Sequence, residues 1–129
     1  MRVIAATILA LLLFAPAATA KEGVRARLES RLDLNARAGS EITVKWRLYI
    51  RDSGRPFDAG ELFVRLRSKG SGAPTRAYGK GDRGRYTARV RVPRGGLGGI
   101  RFGLMGYRSF PGGESEPAPV FFPLDNDPF

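Results

Sequence analysis

The chain has 129 residues, with 22 lysines and arginines against 12 aspartates and glutamates, a formal charge of +10, and neither cysteine nor histidine. The two absences exclude imidazole bases, thiol nucleophiles, disulfide staples and the usual zinc or copper ligand sets, so stability has to come from a packed core. The charge favours anionic partners such as nucleic acid, acidic polysaccharide or lipid head groups, although arginine outnumbers lysine 18 to 4, as a GC-rich coding sequence would also produce.

Residues 1–20 read as an export signal. Arg2 and the terminal amine form a short positive region, residues 3–14 are an apolar run, and Pro16 precedes Ala18-Thr19-Ala20. The small residues Ala18 and Ala20 predict cleavage after Ala20. The apolar run is shorter than the roughly 20 residues of a spanning helix, and no other stretch is long and apolar enough to cross a bilayer. The expectation is a secreted or periplasmic protein without a transmembrane helix in its mature chain. Residues 21–124 then form one domain, followed by a polar, frayed tail over 125–129.

Val24, Ala26, Leu28, Ser30, Leu32 and Leu34 alternate with Arg25, Arg27, Glu29, Arg31 and Asp33. A helix would put Arg31 into the apolar stripe, so a first strand over 24–34 is predicted. After a turn at 35–40, Ile42, Val44, Trp46, Leu48 and Ile50 alternate with polar residues in the strongest strand pattern of the chain. A reversing loop at 52–56 leads to a strand with Leu62, Val64 and Leu66 on one side and Glu61, Phe63, Arg65 and Arg67 on the other. Residues 75–78 are at most a short strand between a Gly/Ser-rich loop and a turn at 79–84. Tyr86, Ala88, Val90 and Val92 then alternate with Arg85, Thr87, Arg89 and Arg91, and Pro93 ends that strand before Gly95-Gly96. Ile100, Phe102 and Leu104 alternate with Arg101, Gly103 and Met105 in a strand reaching about Tyr107. The Pro- and Gly-rich segment 110–119 reads as an exposed, mobile loop, and 120–124 as a last short strand. The predicted fold is all-β, a single antiparallel sandwich of about seven strands.

The passages D-S-G-R-P-F-D-A-G-E-L-F-V-R-L (52–66) and G-R-Y-T-A-R-V-R-V-P (84–93) resemble the bacterial immunoglobulin-like modules of exported proteins, the YtkA-like domains among them. In such modules an Asp/Gly turn with a following proline opens a strand, and a later Gly-aromatic strand ends at proline. The resemblance implies an immunoglobulin-like β-sandwich and brings no catalytic residues with it.

Asp52, Asp58, Glu61 and Asp82 lie in or beside predicted turns, and Glu114, Glu116, Asp125 and Asp127 in a loop and the tail, where solvated acid is ordinary. Asp125, Asn126 and Asp127 lack the register of a calcium loop. Gly95-Gly96 and Gly98-Gly99 lack the lysine and helix of a phosphate loop. No catalytic, cofactor-binding or metal-ligating set is picked out, and no cofactor is expected. The better candidate is a surface. If the first two strands and the strand at 85–92 share a sheet, Arg25, Arg27, Arg31, Arg47, Arg85, Arg89 and Arg91 project from one face, and guanidinium forks suit phosphate, sulfate and carboxylate oxygens. Glu29, Asp33 and Glu41 dilute that field, the alternative being cross-strand pairs on a wet face. Tyr49, Phe63 and Tyr107 have outward parity and form a candidate aromatic contact.

The functional expectation is an exported, non-enzymatic binding or structural module of the bacterial cell envelope, partnered by an envelope protein or an acidic polymer. The alternative is an anion-binding protein that docks its arginine face on acidic polymer or lipid head groups; nucleic acid is the least expected anion after export. An enzyme would need two carboxylates facing one another in a cleft.

Overall fold

The period-two patterning builds eight strands. A computed structural model describes residues 23–129, so the expected export signal and its cleavage site lie outside the described residues. The strands are β1 (Val24–Leu28), β2 (Glu41–Ile50), β3 (Leu62–Ser68), β4 (Thr75–Tyr78), β5 (Lys80–Asp82), β6 (Arg85–Arg91), β7 (Leu97–Ser109) and β8 (Ser115–Phe122). They form two antiparallel four-stranded sheets, ordered β1-β2-β6-β5 and β4-β3-β7-β8 and packed as a β-sandwich. Among the described residues no helix is long and apolar enough to cross a membrane.

The core lies where the two inner faces meet. Val24 and Ala26 of β1, Val44, Trp46 and Leu48 of β2, and Tyr86, Ala88 and Val90 of β6 face Leu62, Val64 and Leu66 of β3 and Ile100 and Phe102 of β7. Trp46 stacks across the layers on Phe102 with ring centroids 4.9 Å apart, and lies 5.9 Å from Tyr86. Full burial of each large side chain contributes roughly 1.5–3 kcal/mol.

Four segments differ from the expectation, each for a local reason. The first strand stops at Leu28 rather than running to Leu34. Glu29 N still donates to Lys45 O at 2.8 Å, but Lys45 N donates to the Ser30 hydroxyl oxygen at 2.9 Å, so a side chain replaces the next ladder bond and the chain leaves the sheet. Asp33 then closes a turn, its carboxylate accepting from Asn35 N and its carbonyl from Ala36 N. Leu32 packs at the margin of the core, whereas Leu34 is 39 % exposed. In the predicted turn at 79–84 the chain forms β5 and a two-residue hairpin. Arg83 and Gly84 have φ of 53° and 76°, the mirror-image turn whose twist suits paired strands.

Residues 115–119, read as loop, belong to β8. Pro117 and Pro119 share one parity on an edge strand, where missing N–H groups need not break a ladder. The loop shrinks to 110–114, with Gly112 and Gly113 at positive φ. The expected frayed tail is tied down. Ala26 N donates to Pro123 O and Asp125 N to Ala26 O, while the Asn126 amide both accepts from Leu28 N and donates to Leu28 O, each at 2.8 Å. The Asn126 side chain thus acts as one more peptide group along β1 and covers an edge that would otherwise be open.

Candidate functional site

Three of the expected strands do share a sheet, and the register states which arginines meet. On the outer face of the first sheet Arg27 lies directly across from Arg47, and Arg47 from Arg85. The remaining candidates are occupied or displaced. Arg25 pairs with Asp125, Arg89 Nη2 with Glu41 Oε1 at 2.6 Å, and Arg91 Nη1 donates to Gly39 O at 2.9 Å. Arg31 falls in the loop beyond β1 and is not on the sheet. The seven-residue face therefore contracts to the row Arg27–Arg47–Arg85, flanked by Lys45 and, on β5, Lys80. Arg47 lies 5.0 Å over the Tyr49 ring, and its Nε is buried with no hydrogen-bond partner among the described residues. Asp82 is the register neighbour of Arg85 at the β5 edge, but the two form no ion pair.

A second row, absent from the predicted set, lies on the outer face of the other sheet. Arg65 of β3 faces Arg76 of β4 on one side and Arg101 of β7 on the other. The next row is aromatic: Tyr78, Phe63, Gly103 and Phe121 succeed one another across β4, β3, β7 and β8. Arg101 sits 3.7 Å over the Phe121 ring, with Arg65 5.9 Å from it; Arg76 lies 5.5 Å from Phe63 and 5.4 Å from Tyr78. Two glycines make room. A Cβ at Gly99 would stand 2.9 Å from Arg67 Nε, and one at Gly103 2.9 Å from Phe63 Cζ and 3.1 Å from Phe121 Cδ1. The contact at Gly99 is with a flexible side chain that can shift, whereas at Gly103 backbone and both packed rings would have to move.

Like charges directly opposed in an antiparallel pair are destabilising by roughly 0.2–1 kcal/mol each. Four such pairs occur here, two in each row. In the second row the repulsion is offset by cation–π stacking, which also holds the guanidinium groups in place and leaves their N–H donors at the rim of the plane. Arg65, Arg67, Arg76 and Arg101 make no ion pair among the described residues.

Three depressions of about 300, 330 and 260 Å³ adjoin this row. Arg65 and Pro74 line the first and third, Phe121 the first and second, and Arg101 the second and third, so the three adjoin one another as a shallow concave surface along the row. Its rim is set by Ser68, whose buried hydroxyl donates to Arg94 O and accepts from Gly70 N and Gly72 N, fixing the loop after β3. The acid within its lining is Asp127, at the far end of the second depression.

The predicted aromatic contact is dispersed. Tyr49 is half-buried on the first sheet, beneath Arg47. Phe63 has the expected outward parity but is only 1 % exposed, because Tyr78, Phe121 and Arg76 cover it. Tyr107, 71 % exposed, stands on the β7–β8 ribbon beyond the last β3 pairing at Leu104. A sequence signal for part of the second row does exist, since Arg65 and Arg101 each sit between inward apolar neighbours, whereas Arg76 lies between Thr75 and Ala77. What the sequence does not show is the pairing of β3 with both β4 and β7.

Asp58 and Tyr86 form a clasp away from these depressions. The Tyr86 hydroxyl and Gly84 N both donate to Asp58 Oδ1, joining the β2–β3 loop to the β5–β6 hairpin. The Tyr86 hydrogen bond, with help from Gly84 N, holds the Asp58 carboxyl below its ordinary range, while burial, and then the Asp58 charge, push the Tyr86 hydroxyl up. A lowered carboxyl stabilises the fold above its unfolded pKa of about 4 and loses that contribution as pH falls through the folded value. A raised phenol is most stabilising below its unfolded pKa of about 10 and loses that contribution as pH rises toward the folded value. Tyr86→Phe is therefore expected to destabilise the protein by about 1 kcal/mol at neutral pH and to flatten both the acid and the alkaline limbs of a thermal-melt pH series. A wild-type and variant difference that stays constant from pH 3 to 11 would show that the clasp does not titrate.

Among the described residues no three carboxylates come together to hold a metal ion. Comparisons of this chain with protein-family models, with curated proteins and with solved structures find no match.

Proposed function

We propose that this protein is an exported, non-enzymatic binding module that holds an acidic polymer of the bacterial envelope in the concavity of its second sheet. The observation that carries this reading is the row Arg76–Arg65–Arg101, three directly adjacent guanidinium groups stacked on aromatic rings with no ion-pair partner among the described residues. Such a row is repulsive in the free protein, and an anion laid along it removes the repulsion. A concave site suits a single polymer chain better than a flat lipid surface, and Tyr78, 50 % exposed at the end of the aromatic row, offers a ring for the C–H face of a sugar. A carboxylated polysaccharide combines both chemistries.

The export signal read in residues 1–20 supports an envelope address, and the lack of histidine and cysteine supports a non-enzymatic role. The sheet orders support an immunoglobulin-like type for the sandwich. With strands lettered A, B, C, C′, D, E, F and G in chain order, they become A-B-E-D and C′-C-F-G, the grouping of that fold.

The test is retention of protein expressed from the 129-residue sequence on immobilised polygalacturonate, with neutral dextran and anionic vesicles as comparisons, across a salt series. Retention on polygalacturonate is expected to exceed that on dextran and vesicles and to weaken steeply with salt. Arg65→Glu/Arg76→Glu/Arg101→Glu should weaken it by roughly tenfold or more in all, whereas Arg31→Glu should leave it unchanged. Equal retention by the triple variant would sink the assignment of the site.

A second reading is favoured by the β7–β8 ribbon, which carries Tyr107 and Phe110, both exposed, beyond the body of the sheet. A protein contact made there would resist salt and survive the triple reversal.

A further inference from the structure

We infer that the protein is bivalent: its two arginine rows, one on the outer face of each sheet, bind two separate acidic chains at once and bridge them. The inference rests on the proposed binding of acidic polymer by the second sheet and adds a second site on the first.

The two rows are built alike. Each has three arginines at consecutive cross-strand positions, Arg27–Arg47–Arg85 over β1, β2 and β6, and Arg76–Arg65–Arg101 over β4, β3 and β7. With neighbouring strands about 4.8 Å apart, each row spans about 10 Å, enough to meet successive charged units of a polymer rather than one isolated anion. In both rows the middle or end arginine rests on an aromatic ring, Arg47 on Tyr49 and Arg101 on Phe121. None of the six has an ion-pair partner among the described residues, while Arg25 and Arg89, neighbours of the first row, do. The first row therefore remains cationic inside a face that is otherwise partly neutralised. Lys45 and Lys80 extend it by one further row, and Asp82 marks its edge at β5.

Arg47 adds a second observation. Its Nε is a buried donor with no acceptor among the described residues, beside two other guanidinium groups. Unsatisfied buried donors are uncommon, and although this Nε is itself covered, an oxyanion along the row would offset the crowded positive charge by meeting the outer guanidinium nitrogens of Arg27, Arg47 and Arg85.

The rows face away from one another. The sheets between them are about 10 Å apart and filled by the Trp46, Phe102 and Leu48 core, so no small anion reaches both. A chain in the second-sheet concavity leaves the first-sheet row open to solvent, and a second chain can dock there without displacing the first. An exported domain of this kind would cross-link acidic envelope polymer in the way a divalent cation does, but with two separate sites in place of one ion.

The test is a two-step capture with polygalacturonate as the probe in both steps. Polymer is immobilised, the protein expressed from the same 129-residue sequence is loaded and washed, and fluorescent soluble polygalacturonate is then passed over it. Wild type is expected to capture the labelled polymer in proportion to the protein retained. Arg27→Glu/Arg85→Glu, which leaves the half-buried Arg47 in place, should still be retained through the second sheet but should lose at least tenfold of the capture. The milder Arg27→Gln/Arg85→Gln gives the same comparison should the reversal fail to fold. Retention of wild type without capture would overturn bivalency and leave the proposed function standing. Undiminished capture by both variants would overturn it too, as would variants that are no longer retained at all, which would make the first-sheet row the one site. No retention of wild type would remove the proposed function and the bridge together.

Discussion

Val90→Asp is expected to abolish soluble folding, whereas Arg89→Asp, one residue away, leaves a cooperative melt shifted by no more than about 1 kcal/mol. Val90 is 2 % exposed and lies across from Ile42 on the inner face of β6. Its replacement removes about 2 kcal/mol of apolar burial and places a carboxylate where no cationic partner reaches it. A change of that kind exceeds about 4–5 kcal/mol, comparable with the whole stability of a small domain. Arg89 points the other way. It loses an exposed pair with Glu41 and gains a like charge beside it, effects of a few tenths of a kcal/mol to about 1 kcal/mol on a solvated face. Circular dichroism and urea unfolding of the two proteins side by side decide the matter. Matching melts would mean that the face of β6 is assigned wrongly.

That contrast is legible in the sequence alone, because β6 and β2 are half-buried and alternate cleanly. The segments that are not legible have another cause. Leu32 and Leu34 continue the alternation of β1, yet no pattern in them reveals that the Ser30 hydroxyl takes the place of a ladder partner. Prolines at 117 and 119 speak for a loop in isolation, and only an edge position makes them compatible with a strand. Asn126 looks like any polar residue near a terminus, and its role appears only when Leu28, 98 residues earlier, is placed beside it.

The site follows the same division. Side-chain parity is correct for every arginine on β1, β2 and β6, and the common sheet of these strands is as expected; but which charges cancel depends on residues outside the pattern, such as Asp125 on Arg25. The second row depends on non-local pairing. Arg65, Arg76 and Arg101 are spread over 37 positions of sequence, and nothing local makes them neighbours until β3 lies between β4 and β7. Parity likewise points Phe63 outward but does not reveal that Arg76, Tyr78 and Phe121 cover it there.

Gly103→Ala is expected to damage fold and binding together. Gly103 is the register partner of Phe63 on one side and Phe121 on the other, and the two rings meet edge to face above it with centroids 5.8 Å apart. An added Cβ would stand 2.5 Å from Val120 O as well as 2.9 Å from Phe63 Cζ, so backbone and ring must both move. Overpacking of this kind costs about 1–3 kcal/mol, and each kcal/mol lowers the melting temperature of a domain this size by roughly 4–8 °C. The displaced Phe63 is also a platform for Arg76, so retention on polygalacturonate should fall several-fold at temperatures where the variant is fully folded. Gly106→Ala is the matched control. Its nearest neighbour would be Ala118 O at 3.4 Å, an ordinary contact, and the smaller backbone entropy of alanine in the unfolded chain should leave stability equal or higher by about 0.5 kcal/mol. If the two alanines behave alike, the tight packing of Phe63 and Phe121 over Gly103 is not what holds the second-sheet face together. If Gly103→Ala melts lower yet keeps full retention, the aromatic row supports the fold but not the arginines above it.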